Sequence, residues 1–322
     1  MIYITTLHNS GGRTGHQFKD QLAAYIIAQL FDLKYVHNPN EKIDFFNLKQ
    51  NEISIDEIDS ERAVLEETNW NGHSYERMKF LIDGIKSKVR GRSCLILLSK
   101  ATRIQLYQLP KWCENGVIGK NSYVDISKNI KEKYYLGNAH RKSVYNPEKI
   151  NIAVHIRRGD TASFSERLRC TFHDDPYSNH FCLSALYYWR IVRFLRKILE
   201  GYRYEVHVFS EKANSLDVKL AFSYGKNTYL HIGGTIEDDI YHLITSDIFV
   251  MSNSSFSTGA AYISDALKIF QPNEQFDNMP KDVFLSVDTS GDLTKYQDVI
   301  REFANSKINK TDRLISKQKN TD

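Results

Sequence analysis

The run Ile150-Asn151-Ile152-Ala153-Val154-His155-Ile156-Arg157-Arg158-Gly159-Asp160 is apolar and rich in β-branched residues. It then ends abruptly in two guanidinium groups, a glycine and a carboxylate. Ile150–Ile156 reads as a clean strand, and a near-continuous apolar run is what a parallel sheet covered by helices on both faces demands. Chemistry is to be sought at its polar end, because open α/β sheets bind ligands beyond the carboxyl ends of their strands.

Outward toward the C-terminus the chain alternates. Leu183–Leu199 reads as a long helix with Arg190, Arg193 and Arg196 along one side. Tyr204–Ser210 reads as a strand, Asn214–Phe222 as a helix, and Thr228–Ile232 as a short strand closed by Gly233-Gly234. Thr235–Thr245 reads as a helix whose acidic first turn, Glu237-Asp238-Asp239, suits the helix dipole. Asp247–Met251 reads as a strand, Ser254–Leu267 as a helix and Lys268–Phe270 as a last strand. Toward the N-terminus, the polar stretch Tyr145-Asn146-Pro147-Glu148 suggests a domain boundary. Ile2–Leu7, the Gly-rich turn His8–Gln17, an apolar helical stretch Phe18–Phe31 and Leu33–His37 open a second α/β unit. Asn38–Asn146 is less legible, apart from a buried strand at Leu95–Leu98. The expectation is an α/β protein of two Rossmann-like domains facing a cleft, residues 1–146 and 147–304, with a polar, disordered tail over 305–322.

The 322 residues, 41% of them hydrophobic and 25% charged, suit a globular protein with a full core. A formal charge of +4 suits small anionic ligands and is too weak for a nucleic-acid binder. Cys94, Cys113, Cys170 and Cys182 form no CxxC pair or common zinc spacing, so they read as free or buried thiols of a reducing compartment. The N-terminus lacks the pattern of a secretory signal, and no long uncharged apolar run suggests a membrane span. A cytoplasmic location is the resulting expectation.

Four clusters could carry chemistry. Arg157 and Arg158 at a strand's end are suited to gripping a diphosphate bidentately, or either pairs with Asp160 or a nearby acid. Met251-Ser252-Asn253-Ser254-Ser255-Phe256-Ser257 joins an apolar strand to an apolar helix. Its amide and hydroxyl donors suit an anion, though serine there is also a common N-cap. The Gly12–Gln17 turn permits close backbone approach to a ligand, without the dinucleotide GxGxxG spacing. Glu211, after Phe209-Ser210, is placed to accept the N–H donors of a guanine or to stand in solvent. Arg158-Gly159-Asp160 spells an adhesion tripeptide and Asn253-Ser254-Ser255 a glycosylation sequon; neither fits this context. No Asp-x-Asp metal clamp, P-loop or GxSxG elbow occurs.

Together these residues resemble a known family. His155-Ile156-Arg157-Arg158-Gly159-Asp160 resembles the HxRRxD motif of the fucosyltransferase superfamily that makes α1,2-, α1,6- and protein-O-fucosyl linkages. Ser252-Asn253-Ser254-Ser255-Phe256-Ser257 is similar to the SNSSFS motif of its α1,2 branch, and Gly12–Gln17 to its N-terminal GxGNQ turn. Phe209-Ser210-Glu211 stands where the family commonly has a Ser/Thr-Asp pair near the guanine. The resemblance implies a GT-B-like fold, GDP-β-L-fucose as donor, inversion at the anomeric carbon, and neither metal nor other cofactor. It implies an oligosaccharide or glycoconjugate acceptor, taken by the N-terminal domain. By the same resemblance Arg157 holds the donor β-phosphate, and His155, Arg158, Asp160, Ser254, Ser255, Phe256, Gly15, His16 and Gln17 shape the donor site. Asp160 and Glu166 are the candidate general bases. His16 replaces the usual Asn, the turn is one residue longer, and Thr258-Gly259 replace two frequent tryptophans, which leaves acceptor and linkage open. Two other readings stand beside this one. The first is an α1,6-type enzyme or a transferase of another GDP- or UDP-sugar on the same scaffold. The second is a non-catalytic nucleotide- or glycan-binding module.

Overall fold

A computed structural model of the chain describes residues 1–7, 13–58, 64–69, 74–89, 91–100, 109, 111–159, 183–272 and 283–319. The chain forms two compact units, one built on Met1–Arg141 and the other on Lys142–Asn273 with Pro280–Asp322.

In the first unit, β1 (Ile2–Thr6), β2 (Lys34–His37), β3 (Ile53–Ser54), β4 (Val64–Asn69) and β5 (Cys94–Lys100) form a parallel sheet of order β3-β2-β1-β5-β4. Helix α1 (Thr14–Leu30) joins β1 to β2. Its apolar residues come so close together that nearly the whole helix is buried, Phe18, Leu22, Ala23, Ile26 and Ile27 among them. Helix α2 (Tyr75–Val89) joins β4 to β5 and buries Met78, Ile82, Ile85 and Val89, the single face that helical spacing allows. Helix α3 (Lys120–Asn138) closes the unit. Asn138 donates from Nδ2 to the carbonyls of Phe45 (2.8 Å) and Tyr134 (2.9 Å).

The second unit holds β6 (Ile150–His155), β7 (Tyr204–Ser210), β8 (Thr228–Ile232), β9 (Ile248–Val250), β10 (Leu267–Phe270) and β11 (Phe284–Ser286). Every ladder is parallel, and the order is β11-β10-β9-β6-β7-β8. Helix α4 (Ala185–Ile198) leads into β7 and α5 (Leu216–Phe222) into β8. Helix α6 (Ile236–Thr245) returns the chain across β6 to β9, and α7 (Ser255–Ile263) leads to β10. Ile152 and Val154 of β6 with Val206 and Val208 of β7 bury one face against Ile191, Val192 and Leu195 of α4. From β6 the chain therefore first fills one side of the sheet and then the other. The reversal leaves a crevice between the carboxyl ends of β6 and β9, the position where such sheets bind ligands.

Two readings are corrected. The second unit takes in the chain from Lys142, a few residues before the polar stretch Tyr145-Asn146-Pro147-Glu148. The reason is packing: the amide of Val144 donates to His242 Nε2 (3.1 Å) and the Tyr145 hydroxyl to the His242 carbonyl (2.6 Å), both on α6. The segment expected to be a disordered tail enters helix α8 (Gln297–Lys319). Its polar composition does not oppose helix, and Ile300 and Ala304, four apart, anchor its start in the core. The helix expected to reach Leu267 stops at Ile263, because Leu267 already pairs with Ile248 as the first residue of β10.

Among the described residues Cys94 and Cys113 are free thiols, and no helix is long and apolar enough to cross a membrane. Cys170 and Cys182 lie outside the described residues.

Candidate functional site

Three stretches far apart in sequence meet at the carboxyl edge of the second sheet. They are the ends of β6 (His155–Gly159), β7 (Ser210–Glu211) and β9 (Ser252–Phe256). β6 lies between β9 and β7 in the sheet, so its end touches both of the others.

On the β9 side, His155 is buried and its Nδ1 lies 2.6 Å from Ser257 Oγ and 2.9 Å from Ser252 Oγ. Ser252 Oγ is also 2.8 Å from Ser254 Oγ and 3.0 Å from Ser257 Oγ. Ser254 is the N-cap of α7, its hydroxyl accepting from the Ser257 amide (3.1 Å). Of the two readings its sequence allowed, the Ser254 hydroxyl thus fulfils the capping one. Ser255 and Phe256, the first two residues of the helix, are partly exposed at its N-terminus, and the Phe256 ring lies 5.1 Å from that of His155. A helix start with partly exposed first residues offers amide donors and a positive dipole end to an anion.

On the β7 side, Arg158 is 1% exposed. It meets Asp217 of α5 through two bonds, Nη2 to Oδ2 at 2.6 Å and Nε to Oδ1 at 3.2 Å. Its Nη1 donates to the carbonyls of Arg157 (2.8 Å) and Leu183 (3.1 Å). This is the arginine-to-acid alternative, with Asp217 as the acid. Its guanidinium is turned inward to join β6, α5 and the segment before α4. Glu211 accepts the Arg158 amide at Oε2 (2.7 Å), so this carboxylate ties the β7 end to the β6 end rather than standing in solvent. Ser210 Oγ donates to the Ile156 carbonyl (2.7 Å), and Asn214 Nδ2 to that of Gly159 (2.8 Å). Gly159 has φ 63, left-handed backbone that favours glycine, and this is how the chain turns away after Arg158. Arg157 stands on the shoulder of this braced loop and is partly exposed.

Gly15, His16 and Gln17 lie in the first turn of α1, in the first unit. Gly15 and Gln17 are buried, and Gln17 Oε1 accepts from Asn40 Nδ2 (2.6 Å), which locks the turn to the loop after β2. Asp160 and Glu166 lie outside the described residues. Among the described residues no group of three or more His, Cys, Asp or Glu could hold a metal ion.

The sequence reading does not single out Asp239, which stands in the first turn of α6. Burial first, then the charges of Glu211 and Asp238, raise its carboxyl to about 7. The signal in the sequence is the two glycines before α6. A Cβ on Gly234 would stand 2.7 Å from Asp239 Oδ1, so a side chain there would displace the carboxyl. Between about pH 4 and pH 7 the folded protein keeps a proton on Asp239 that the unfolded chain has released, so stability falls as pH rises through that window. Asp239→Asn should therefore be more stable than the parent above pH 7, by on the order of 2 kcal/mol or a few degrees in Tm. The difference should vanish below pH 4. Thermal melts at pH 4 and pH 8 test this, and equal melting points at pH 8 would contradict it.

No protein-family model and no curated protein matches the chain. Among solved structures, POFUT1 in complex with GDP-fucose aligns over 84% of this chain and 97% of its own at 14% identity, with a TM-score of 0.41. The E. coli heptosyltransferase WaaC with ADP aligns over 95% of this chain and 100% of its own at 10% identity, TM-score 0.43. A putative UDP-N-acetylglucosamine 2-epimerase from Listeria monocytogenes aligns over 95% and 90% at 9% identity, TM-score 0.42. Likenesses of this size carry nothing about substrate.

Proposed function

We propose that the chain is a glycosyltransferase that moves L-fucose from GDP-β-L-fucose to a hydroxyl of a glycan, with inversion and without a metal. The observation that supports this reading is the convergence of the three sequence stretches at the switch point of the second sheet. A departing nucleoside diphosphate needs a fixed cation and amide donors aimed at its growing charge, in a setting that does not reorganise during the step. Arg157, partly exposed on a loop that Arg158, Glu211 and Ser210 brace, is suited to be that cation. The start of α7 at Ser255 and Phe256 is suited to supply the donors.

In this reading the acceptor oxygen bonds to the anomeric carbon as the bond to the β-phosphate oxygen breaks. The electron pair leaves with GDP, and the hydroxyl proton passes to a base. Asp160 and Glu166 remain the candidates for that base. The linkage proposed, α1,2, rests on the Ser252–Ser257 resemblance alone.

The test is incubation of the protein with GDP-fucose, GDP-mannose and UDP-galactose over a neutral glycan array, with linkage analysis of any product. Fucosylation from GDP-fucose alone is the expected result. Transfer from another donor would replace the donor assignment, and GDP binding without transfer or donor hydrolysis would make the chain a binding module.

A further inference from the structure

Helix α5 has two unlike sides. Val218 and Phe222, four residues apart, face the core. On the opposite side Leu216 is 70% exposed and Leu220 68%. Ser223 keeps helical backbone past the helix end, so Tyr224, 95% exposed, continues the same line. Apolar residues scattered singly over a surface need no explanation, whereas three in one ridge mark an interaction face.

The ridge is held in place at both ends. At its start Asp217 is bonded by the buried Arg158, whose Nη1 also donates to the Leu183 carbonyl (3.1 Å), so the starts of α4 and α5 are tied together. At its end Arg196 of α4 donates from Nη2 to Thr228 Oγ1 (2.6 Å) and to the Lys226 carbonyl (3.2 Å). A Cβ on Gly225 would stand 2.5 Å from that same Nη2, so only glycine lets the loop close on α4 in this way. Tyr224 therefore stands in water on a braced loop.

The charge around the ridge has one sign. From Lys212 to Tyr229 the chain carries three lysines, Lys212, Lys219 and Lys226, and one acid, Asp217. The acid is neutralised by Arg158, and all three lysines are exposed. Lys212 precedes the ridge, Lys219 lies beside Leu216 and Leu220, and Lys226 follows Tyr224. The adjoining α4 carries Arg190, Arg193, Arg196 and Lys197 and no acid. A partner for this face must be apolar and anionic at once. A second copy of the chain fits poorly, because pairing ridge on ridge sets lysines against lysines, and three side chains alone fall short of the about 800 Å² each partner gives to a stable interface. A peptide helix needs a groove, and the outer side of a helix is convex. An anionic lipid surface meets both demands: the ridge enters the boundary between headgroups and acyl chains, and the lysines meet the phosphates.

We propose that the α5 face, with Leu216, Leu220 and Tyr224 between Lys212, Lys219 and Lys226, seats the protein on an anionic lipid surface. Because α5 follows β7 directly and Asp217 holds Arg158, the seated face adjoins the carboxyl edge of the second sheet. That the acceptor glycan is one carried at such a surface rests on the glycosyltransferase reading, whereas lipid binding itself does not.

The test is co-sedimentation of the full chain with vesicles of phosphatidylcholine, alone or mixed with phosphatidylglycerol, at low and high salt. The expected result is partition onto the mixed vesicles only, weakened by salt. Lys219→Gln with Lys226→Gln should lower that partition about thirtyfold, the worth of two lysines at an anionic surface. Leu220→Gln with Tyr224→Gln should lower it about tenfold through lost apolar insertion. All four residues are exposed, so both pairs should melt with the parent, and either pair suffices if the other melts early. No partition onto mixed vesicles, or parental partition of either folded pair, would overturn the proposal. So would a dimer in sedimentation velocity that Leu220→Gln with Tyr224→Gln dissolves, which assigns the face to a second copy. Capture by poly-glutamate in place of vesicles would assign it to an acidic protein and overturn it equally. Sugar transfer without vesicle binding refutes this proposal alone, and vesicle binding without transfer refutes the catalytic reading alone.

Discussion

Asp217→Ala should destabilise the protein by about 3 kcal/mol, the lower part of the range for removing one partner of a buried ion pair. Arg158 is 1% exposed, and two of its guanidinium nitrogens are bonded to Asp217. Once the carboxylate is gone, a full positive charge remains in the interior, and the Arg157 and Leu183 carbonyl oxygens bonded to Nη1 carry no net charge to offset it. Asp217 is itself 31% exposed, so water reaches its side of the pair and moderates the cost. The double variant Arg158→Met, Asp217→Ala removes the stranded charge. It should recover part of the loss, and the non-additivity isolates the pair from the packing of each residue. Urea denaturation followed by circular dichroism measures all three. A single variant within about 0.5 kcal/mol of the parent, the usual range of a surface substitution, would mean that Asp217 is not the partner that holds Arg158.

The same pair marks where the sequence stops being legible. Strands β6, β9 and β10 are buried along their whole length, so Ile150–His155 stands out as an apolar run, and parallel alternation follows from the order of the elements. In the first unit, β4 (Val64–Asn69) lies at the sheet edge and alternates partly buried with exposed positions, so Val-Leu-Glu-Glu-Thr-Asn does not announce a strand. Helix α2 is periodic at Met78, Ile82, Ile85 and Val89, but its charged outer face dilutes the signal. At the site, the cap at Ser254 is readable because its hydrogen bond spans one turn. Arg158 and Asp217 are 59 positions apart and meet only because β6 and β7 are neighbours, so nothing local singles out Asp217 over Asp160. Asp239 is hidden for the same reason. In sequence it is one of three acids that suit a helix dipole, and its raised carboxyl appears only when the fold buries it and brings it near Glu211.

On the proposed glycosyltransferase reading, Arg157→Ala should leave the fold intact and lower kcat for sugar transfer by at least about 10²-fold, the scale for deleting one preorganised charge-stabilising group. The fold should survive because the bracing of the loop belongs to Arg158, Ser210 and Glu211, while Arg157 is partly exposed. The loss should fall on kcat more than on KM, because charge on the bridging phosphate oxygen grows only as the glycosidic bond breaks, and stabilisation realised there lowers the barrier. Arg157→Lys should recover a minor part, since a compact ammonium restores the charge but not the two parallel N–H bonds to a phosphate. GDP binding, measured by calorimetry, should weaken less than turnover. Steady-state kinetics with GDP-fucose separates these effects once an acceptor is in hand, and slow donor hydrolysis serves before that. Parental turnover in Arg157→Ala would remove the cation from the mechanism, leaving the amides at the start of α7 as the only group here assigned to receive the charge. By contrast, a variant that unfolds would show that Arg157 is part of the brace, and Arg157→Lys would then have to be compared at matched stability.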